Sequence, residues 1–244
     1  MARASGFGRS TKLAVAPDGG SEAPVNETRT SEVYRRLRDD LLSGALPPGA
    51  RLPMQELSTR YGVAFAPLRE ALFLLKSESL VIASDHKGFR VPLLSAAEFQ
   101  ELAGTRMLLE GQALRLSIER GDDAWEARLV ASFHCLSLST KRGDHSSAKT
   151  RPDWEKAHEE FHEALIAAAA SRLLLRLRAM LTNLVLRYRR IALDNAAKRD
   201  HLAEHKAIMD AALSRNANLA VKLLSEHYEL TTKFILKQLG PNSK

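Results

Sequence analysis

Between Tyr61 and Val91 the apolar positions change from the period of a helix to that of a strand, and the chain is organised around this stretch. Leu68, Ala71, Leu72 and Leu75 recur at helical spacing and make one apolar face, with Arg69 and Lys76 off it. Pro67 stands where this helix can begin, because a first-turn N–H has no partner inside the helix. Gly62 breaks the helix before it. After Ser79 come two short β-type runs, Leu80-Val81-Ile82 and Phe89-Arg90-Val91, and the turn residues Asp85 to Gly88 lie between them. Upstream, Val33, Leu37, Leu41 and Leu42 share one side of a helix capped by Thr30 or Ser31 and running to about Ser43. Gly44 and Pro47-Pro48-Gly49 stop it, and Leu52-Pro53 leads into a second helix, Met54 to Tyr61. Helices joined by a tight turn and followed by a small hairpin predict a winged helix-turn-helix, whose last helix enters a DNA major groove.

Past Pro92 the pattern is helical nearly throughout. Ser95 and Glu98 form a capping box for a helix from Ala96 to Arg120, closed by Gly121. Asp122 caps the next, Asp123 to about Thr140. Residues 141–152 are polar, turn-rich and expected to be mobile. Further helices are expected from Asp153 to about Ala170, Arg172 to about Ala196, Arg199 to about Ser214, and Ala217 to about Leu239. No strand signal follows residue 95, so the fold class is mainly α. A winged helix-turn-helix over residues 29–92 is joined to an all-helical bundle over 95–240, preceded by a disordered tail over 1–28.

Composition narrows the partners. Of 244 residues, 45% are apolar and only 6% aromatic, with a net charge of +7, so a core can be buried and a polyanion such as DNA is a suitable partner. An anionic membrane surface suits the charge equally, but no run approaches the roughly 18 apolar residues of a membrane span. The N-terminus has charge without an apolar h-region, which is not the pattern of a secretory signal. Cys135 is the only cysteine, which excludes a disulfide framework and fits a reducing cytoplasm; a lone thiol of this kind is expected to be a small buried hydrophobe.

The candidate chemistry is histidine. His158 and His162 lie four residues apart on one helix and share a face. His205 and His227 lie on the apolar sides of the last two helices. Imidazoles pointing into one bundle suit zinc, nickel, copper or iron; satisfied core or surface histidines are the other reading. His134, His145 and His201 show no such pattern. No H-E-x-x-H, G-x-S-x-G or G-x-x-x-x-G-K-[ST] accompanies the cluster, so ligand binding is expected rather than turnover.

Several motifs in order carry a family resemblance. The N-terminal half reads P-P-G-A-R-L, E-L-S-T-R-Y-G-V, P-L-R-E-A-L and K-G-F-R-V; the C-terminal half reads T-R-M-L-L-E, F-H-E-A-L, E-H-K-A-I and S-E-H. From about Thr30 to Lys237 the chain resembles the GntR family of bacterial transcription regulators, in its FadR-type branch with an all-helical effector (FCD) domain. Within that branch it is similar to the carbon-starvation-induced regulator group. The resemblance implies a homodimer, a double-stranded DNA operator, and a divalent metal held by His158, His162, His205 and His227, with zinc first and nickel or manganese as the others. The family usually has Asp or Asn where His158 stands, so the role of His158 departs from the pattern. A small carboxylate effector, for which the resemblance suggests a dicarboxylate or hydroxy acid, would bind near the metal, with Arg106, Arg187 and Tyr188 as candidate contacts or, alternatively, packing and ion-pair residues. On DNA, Arg51, Arg60, Arg69 and Lys87 would touch phosphate, Gln55 stands where relatives often have Arg, and His86, Lys87 and Gly88 resemble a wing tip in the minor groove. Relatives often carry an Arg where this chain has Phe65, which can make only apolar contact, with a thymine methyl or with its own domain. Two alternatives stand beside the ligand-controlled repressor: a metal-dependent enzyme, and a DNA-binding dimer whose metal is purely structural.

Overall fold

The computed structural model describes residues 28–84, 88–142, 151–192 and 201–239. The expected tail, and most of the polar segment before Pro152, lie outside the described residues. The chain opens with α1, Arg29–Ser43, whose buried Val33, Leu37, Leu41 and Leu42 are the stripe the sequence predicts. Its cap is Thr28, two residues earlier than expected, and Thr28 accepts a hydrogen bond from the Ser31 backbone N–H. Next come β1, Arg51–Leu52, then α2, Met54–Tyr61, then α3, Phe65–Ser77. Gly62, at φ 66°, makes the turn between α2 and α3 in a conformation that favours glycine. Pro67 is the third residue of α3 rather than the first, a position where its missing N–H still costs nothing.

The hairpin differs from the sequence reading by a small shift. Leu80 and Val81 are buried in the domain core before the strand begins, following Ser79 in a left-handed conformation. The strands are β2, Ile82–Ser84, and β3, Gly88–Arg90. β3 is central in an antiparallel sheet of order β1-β3-β2, in which Arg51 pairs with Arg90 and Leu52 with Phe89. Strand β1 was invisible in the sequence because two residues before a proline show no alternation.

The second half is helical throughout its described residues. Its helices are α4, Ala96–Arg120; α5, Asp123–Lys141; α6, Arg151–Ile166; α7, Arg172–Ala192; α8, His201–Leu213; and α9, Ala217–Leu239. Ser95 and Asp122 cap α4 and α5 as expected, accepting from the N–H groups of Glu98 and Trp125. Helix α6 is shorter than its pattern predicts. It tightens into a 3-10 turn over Ala167–Ala169 and ends at Ala170 in a left-handed conformation, after which Ser171 caps α7. Cys135 is exposed, contrary to expectation, because the buried positions of α5 are Trp125, Leu129 and Leu136, and its neighbour in sequence points about 100° away.

Helix α7 joins the two halves. Its Leu181, Val185 and Tyr188 pack with Phe99, Leu102 and Ile235 from α4 and α9. Its Leu184 and Leu186 pack against the core of the N-terminal domain.

The corner between α4 and α5 sets the height of α6, which carries His158 and His162. Trp125 is buried there and donates its indole N–H to the Ala164 carbonyl of α6 at 2.9 Å. A Cβ on Gly121 would lie 2.2 Å from the Trp125 ring and 2.7 Å from the Ser117 carbonyl oxygen. Gly121→Ala should therefore displace Trp125 and destabilise the protein by about 1–3 kcal/mol. Thermal melting checks this, and an unchanged melting temperature would contradict the corner's role.

Candidate metal centre and ligand cavity

The bundle brings four histidines from three helices to one point. His158 and His162 of α6, His205 of α8 and His227 of α9 each offer a ring nitrogen within 4.8 Å of the others, and all four are buried. The Nε2 atoms of His162 and His205 are 3.3 Å apart. Two nitrogens each about 2.05 Å from one tetrahedral ion would stand about 3.3 Å apart.

What holds the outer nitrogens decides which inner ones are free to ligate. His205 Nδ1 meets the His201 carbonyl one turn earlier in α8, so it carries the proton and leaves Nε2 bare. His227 Nδ1 lies 2.8 Å from a Glu204 carboxylate oxygen, with the same result. His162 depends on a longer chain. Burial alone would raise the Glu110 carboxyl, but Arg106 and Arg178 beside it hold it below the ordinary carboxylate range. The carboxylate can only accept, so the Tyr228 hydroxyl donates to it at 2.5 Å. That spends the only phenolic proton, so His162 Nδ1–H, 3.0 Å away, must donate to the phenol oxygen. Arg106 bonds Glu110 at 2.6 Å and its guanidinium lies over the Tyr228 ring, completing the support.

His158 is held differently. Its ring stacks on Trp154 at 4.8 Å, and its Nδ1 faces the Arg189 guanidinium at 3.5 Å. Arginine can only donate, so this Nδ1 accepts and a neutral ring would carry its proton on Nε2. Three histidines thus present bare Nε2 atoms to the centre, and the fourth has the opposite tautomer in this arrangement.

On the far side of Arg189 from His158 is a cavity of about 570 Å³, within the range of small-molecule sites, and none of the four histidines lines it. Its wall includes Arg178, Thr182, Arg189 and Arg190 of α7, Glu155 of α6 and Arg38 of α1. Most of its charges are matched. Arg190 makes two hydrogen bonds to one Glu155 oxygen, and Arg178 is ion-paired to Glu159, to Glu163 and, through Nε at 3.3 Å, to Glu110. Buried polar atoms in the wall nonetheless lack hydrogen bonds: Thr182 Oγ1, Glu155 Oε1 and the Nε and second terminal nitrogen of Arg178. Such groups are costly to leave unpaired, and they lie just behind the cavity surface.

The sequence candidates for effector contact separate here. Arg106 borders the cavity but is committed to Glu110 and Tyr228. Arg187 and Tyr188 do not reach it. Arg187 donates to the Pro92 carbonyl at 3.0 Å, and Tyr188 meets Glu98 and the Ser95 backbone, so both fasten α7 to the interdomain linker. Residues two apart on a helix point about 200° from each other, which is why Arg189 faces the cavity and Arg187 does not. Arg178, Thr182 and Arg189, spaced by four and seven, are a polar stripe that α7 periodicity would have revealed.

On the N-terminal domain, Arg51, Gln55, Arg69 and Gly88 are exposed, and Phe65 is 44% exposed at the start of α3. Arg60 is tied to Asp40 at 2.6 Å and is not a free cation. His86 and Lys87 lie outside the described residues. Ala64 precedes α3 and has no side chain to cap it, so its first N–H groups are open to an anion.

This is the construction of a two-domain DNA-binding regulator, a winged helix-turn-helix on a helical ligand-binding bundle. Residues 29–91 match the bacterial regulatory proteins of the gntR family, and residues 101–230 match the FCD domain. The chain belongs to the GntR family, as a transcriptional regulator with an FCD domain. It is 38% identical to the HTH-type transcriptional regulator BphR of Paraburkholderia xenovorans (strain LB400) over 90% of this chain and 91% of that protein. It is 34% identical to the HTH-type transcriptional repressor GlaR of Escherichia coli (strain K12) over 86% and 96%. Among solved structures it resembles E. coli McbR/YncC, with a TM-score of 0.71 at 23% identity over 87% of this chain and 99% of that one, a likeness of fold. No helix among the described residues is long and apolar enough to cross a membrane.

Burial pushes His158, His162 and His205 well below the usual 6.5, reinforced by the positive charges and imidazoles around them. An unfolded chain takes up protons near 6.5 that the folded one refuses. The metal-free protein should therefore keep its full stability above about pH 6.5 and lose it as pH falls, each ring adding a slope of about 1.4 kcal/mol per pH unit. Melting measured against pH tests this, and a melting temperature level from about pH 7 to about pH 5 would contradict it.

Proposed function

We propose that the protein is a homodimeric repressor whose operator affinity is set by a small carboxylate bound beside a divalent metal in the FCD domain. The observation that carries this is the set of four buried imidazoles, three with their outer nitrogens held by acceptors, joined through Arg189 to the wall of a cavity rich in arginine. Neutral, pre-oriented imidazole is what a borderline metal requires, and an all-nitrogen donor set favours zinc or nickel over manganese. His162, His205 and His227 would hold the ion, and His158, whose Nδ1 meets Arg189, would stay outside the donor set and leave a position open. When bound, the ion supplies a Lewis-acidic charge to which a carboxylate oxygen can coordinate.

The residues of the chain do the rest. Arg189 would orient the acid, with Arg178, Thr182 and Glu155 beside it in the wall. On DNA, two α3 helices related by dyad symmetry would occupy adjacent major grooves. Arg51 and Arg69 would contact phosphate, with the uncapped start of α3, while Phe65 meets a base edge without a hydrogen bond. Effector binding would need to favour one head arrangement by about 1–3 kcal/mol to change occupancy usefully.

Four histidines with no open position would describe a structural metal, and His158 separates the two readings. With His158→Ala, metal content should stay close to one per chain; loss of the metal would show that all four rings are needed. Replacing both His162 and His227 by Ala should remove metal and abolish the response of operator affinity to carboxylates. A double variant with full metal occupancy and full response would overturn the proposal. Arg69→Ala should weaken DNA binding and lower the salt slope by about one unit, with the sequence preference retained.

A further inference from the structure

The cavity wall holds two arginines whose charge is not matched by a carboxylate. Among the described residues, neither Arg38 nor Arg189 has an acidic partner within ion-pair distance, although Arg178 and Arg190 in the same wall do. At contact distance Arg189 meets neutral groups, the His158 imidazole and the Trp154 ring, while Glu155 and Glu159 act on it only from beyond ion-pair distance. Arg38 donates to the side-chain amide oxygen of Asn183 at 2.5 Å. The two stand in different domains: Arg189 is on α7 of the bundle, and Arg38 is on α1 of the DNA-binding head. Asp39 beside Arg38 also borders the cavity, so α1 forms part of the wall in its own right.

An uncompensated guanidinium in a half-enclosed cavity is a handle for an anion, because a planar fork of donors matches a carboxylate in two hydrogen bonds. Two such handles in one cavity select a ligand with an anionic group at each end. We propose that Arg38 is a ligand-contacting residue contributed by the DNA-binding head, so that a dicarboxylate is gripped at one end by the bundle and at the other by α1. This rests on the carboxylate reading above and deepens it. An acid with one carboxylate engages Arg189 and leaves Arg38 on Asn183. An acid with two draws Arg38 away from the amide and thereby changes the contact that sets α1 against α7. Specificity for a diacid and transmission to the head are then carried by one side chain.

The test is calorimetric titration of metal-loaded, full-length protein with malonate, succinate and adipate, and with butyrate as the single-carboxylate control. Operator affinity is measured alongside, with and without each acid. In the wild type, at least one diacid should bind about tenfold more tightly than butyrate, the scale of one added charge-assisted contact. Arg38→Ala should remove that advantage, leave butyrate binding within about twofold, and abolish any further change of operator affinity on adding the diacid. Asn183→Ala removes the competing partner and retains Arg38, so diacid binding should persist or tighten. That variant guards against a simple loss of domain packing. If Arg38→Ala binds and responds to the diacid as the wild type does, Arg38 is not a contact, the inference is wrong, and the carboxylate reading stands. If no acid binds the wild type at all, the carboxylate reading fails and this inference fails with it.

Discussion

Four imidazoles buried at one point need their outer nitrogens held, and much of the C-terminal domain is arranged to hold them. The charged network of Arg106, Glu110, Arg178 and Glu159 lies in the wall of the bundle, where unpaired ions would be strongly unfavourable. Its effect at the centre is to fix one proton: Glu110 stays ionised, Tyr228 donates to it, and His162 is left with one possible tautomer. His205 achieves the same end from the backbone of its own helix and His227 from a carboxylate on its neighbour. The three solutions differ in chemistry and agree in outcome.

Helix α7 is where this centre meets the rest of the molecule. One stripe of it lines the cavity, another ties to the linker at Pro92, Ser95 and Glu98, and a third meets α1. A rigid helix with these three faces cannot shift at one of them without loading the others, because packed interiors have little slack. Any coupling between these faces would therefore be local and continuous, a few side chains on one element rather than a long relay.

Much of this was legible in the sequence. The stripes Val33-Leu37-Leu41 and Leu68-Leu72-Leu75 gave the head, and the helix bounds of α2, α4 and α9 followed from Pro53, Ser95, Gly121 and Asn216. The histidines were readable because their spacing set them on apolar faces where a lone polar ring calls for a reason. What was not legible depends on contacts between distant segments. Strand β1 exists only because β3 lies beside it, and Arg60 looked like a free cation until Asp40, twenty residues away, was folded against it. The segment R-Y-R-R does not by itself mark Arg189 as inward; only its place in the Arg178-Thr182-Arg189 stripe does. Arg38 had no signal at all, since only the docking of α1 on α7 brings it to the cavity.

The N-terminal head does not finish its own core. Leu184 and Leu186, supplied from α7 across the linker, close it from outside. A head grafted onto a different bundle would lose that cover and expose apolar surface where α7 had been. The two halves are thus less interchangeable than a beads-on-a-string reading implies. A new partner domain would have to bring a matching pair of apolar side chains before the head could be transferred intact.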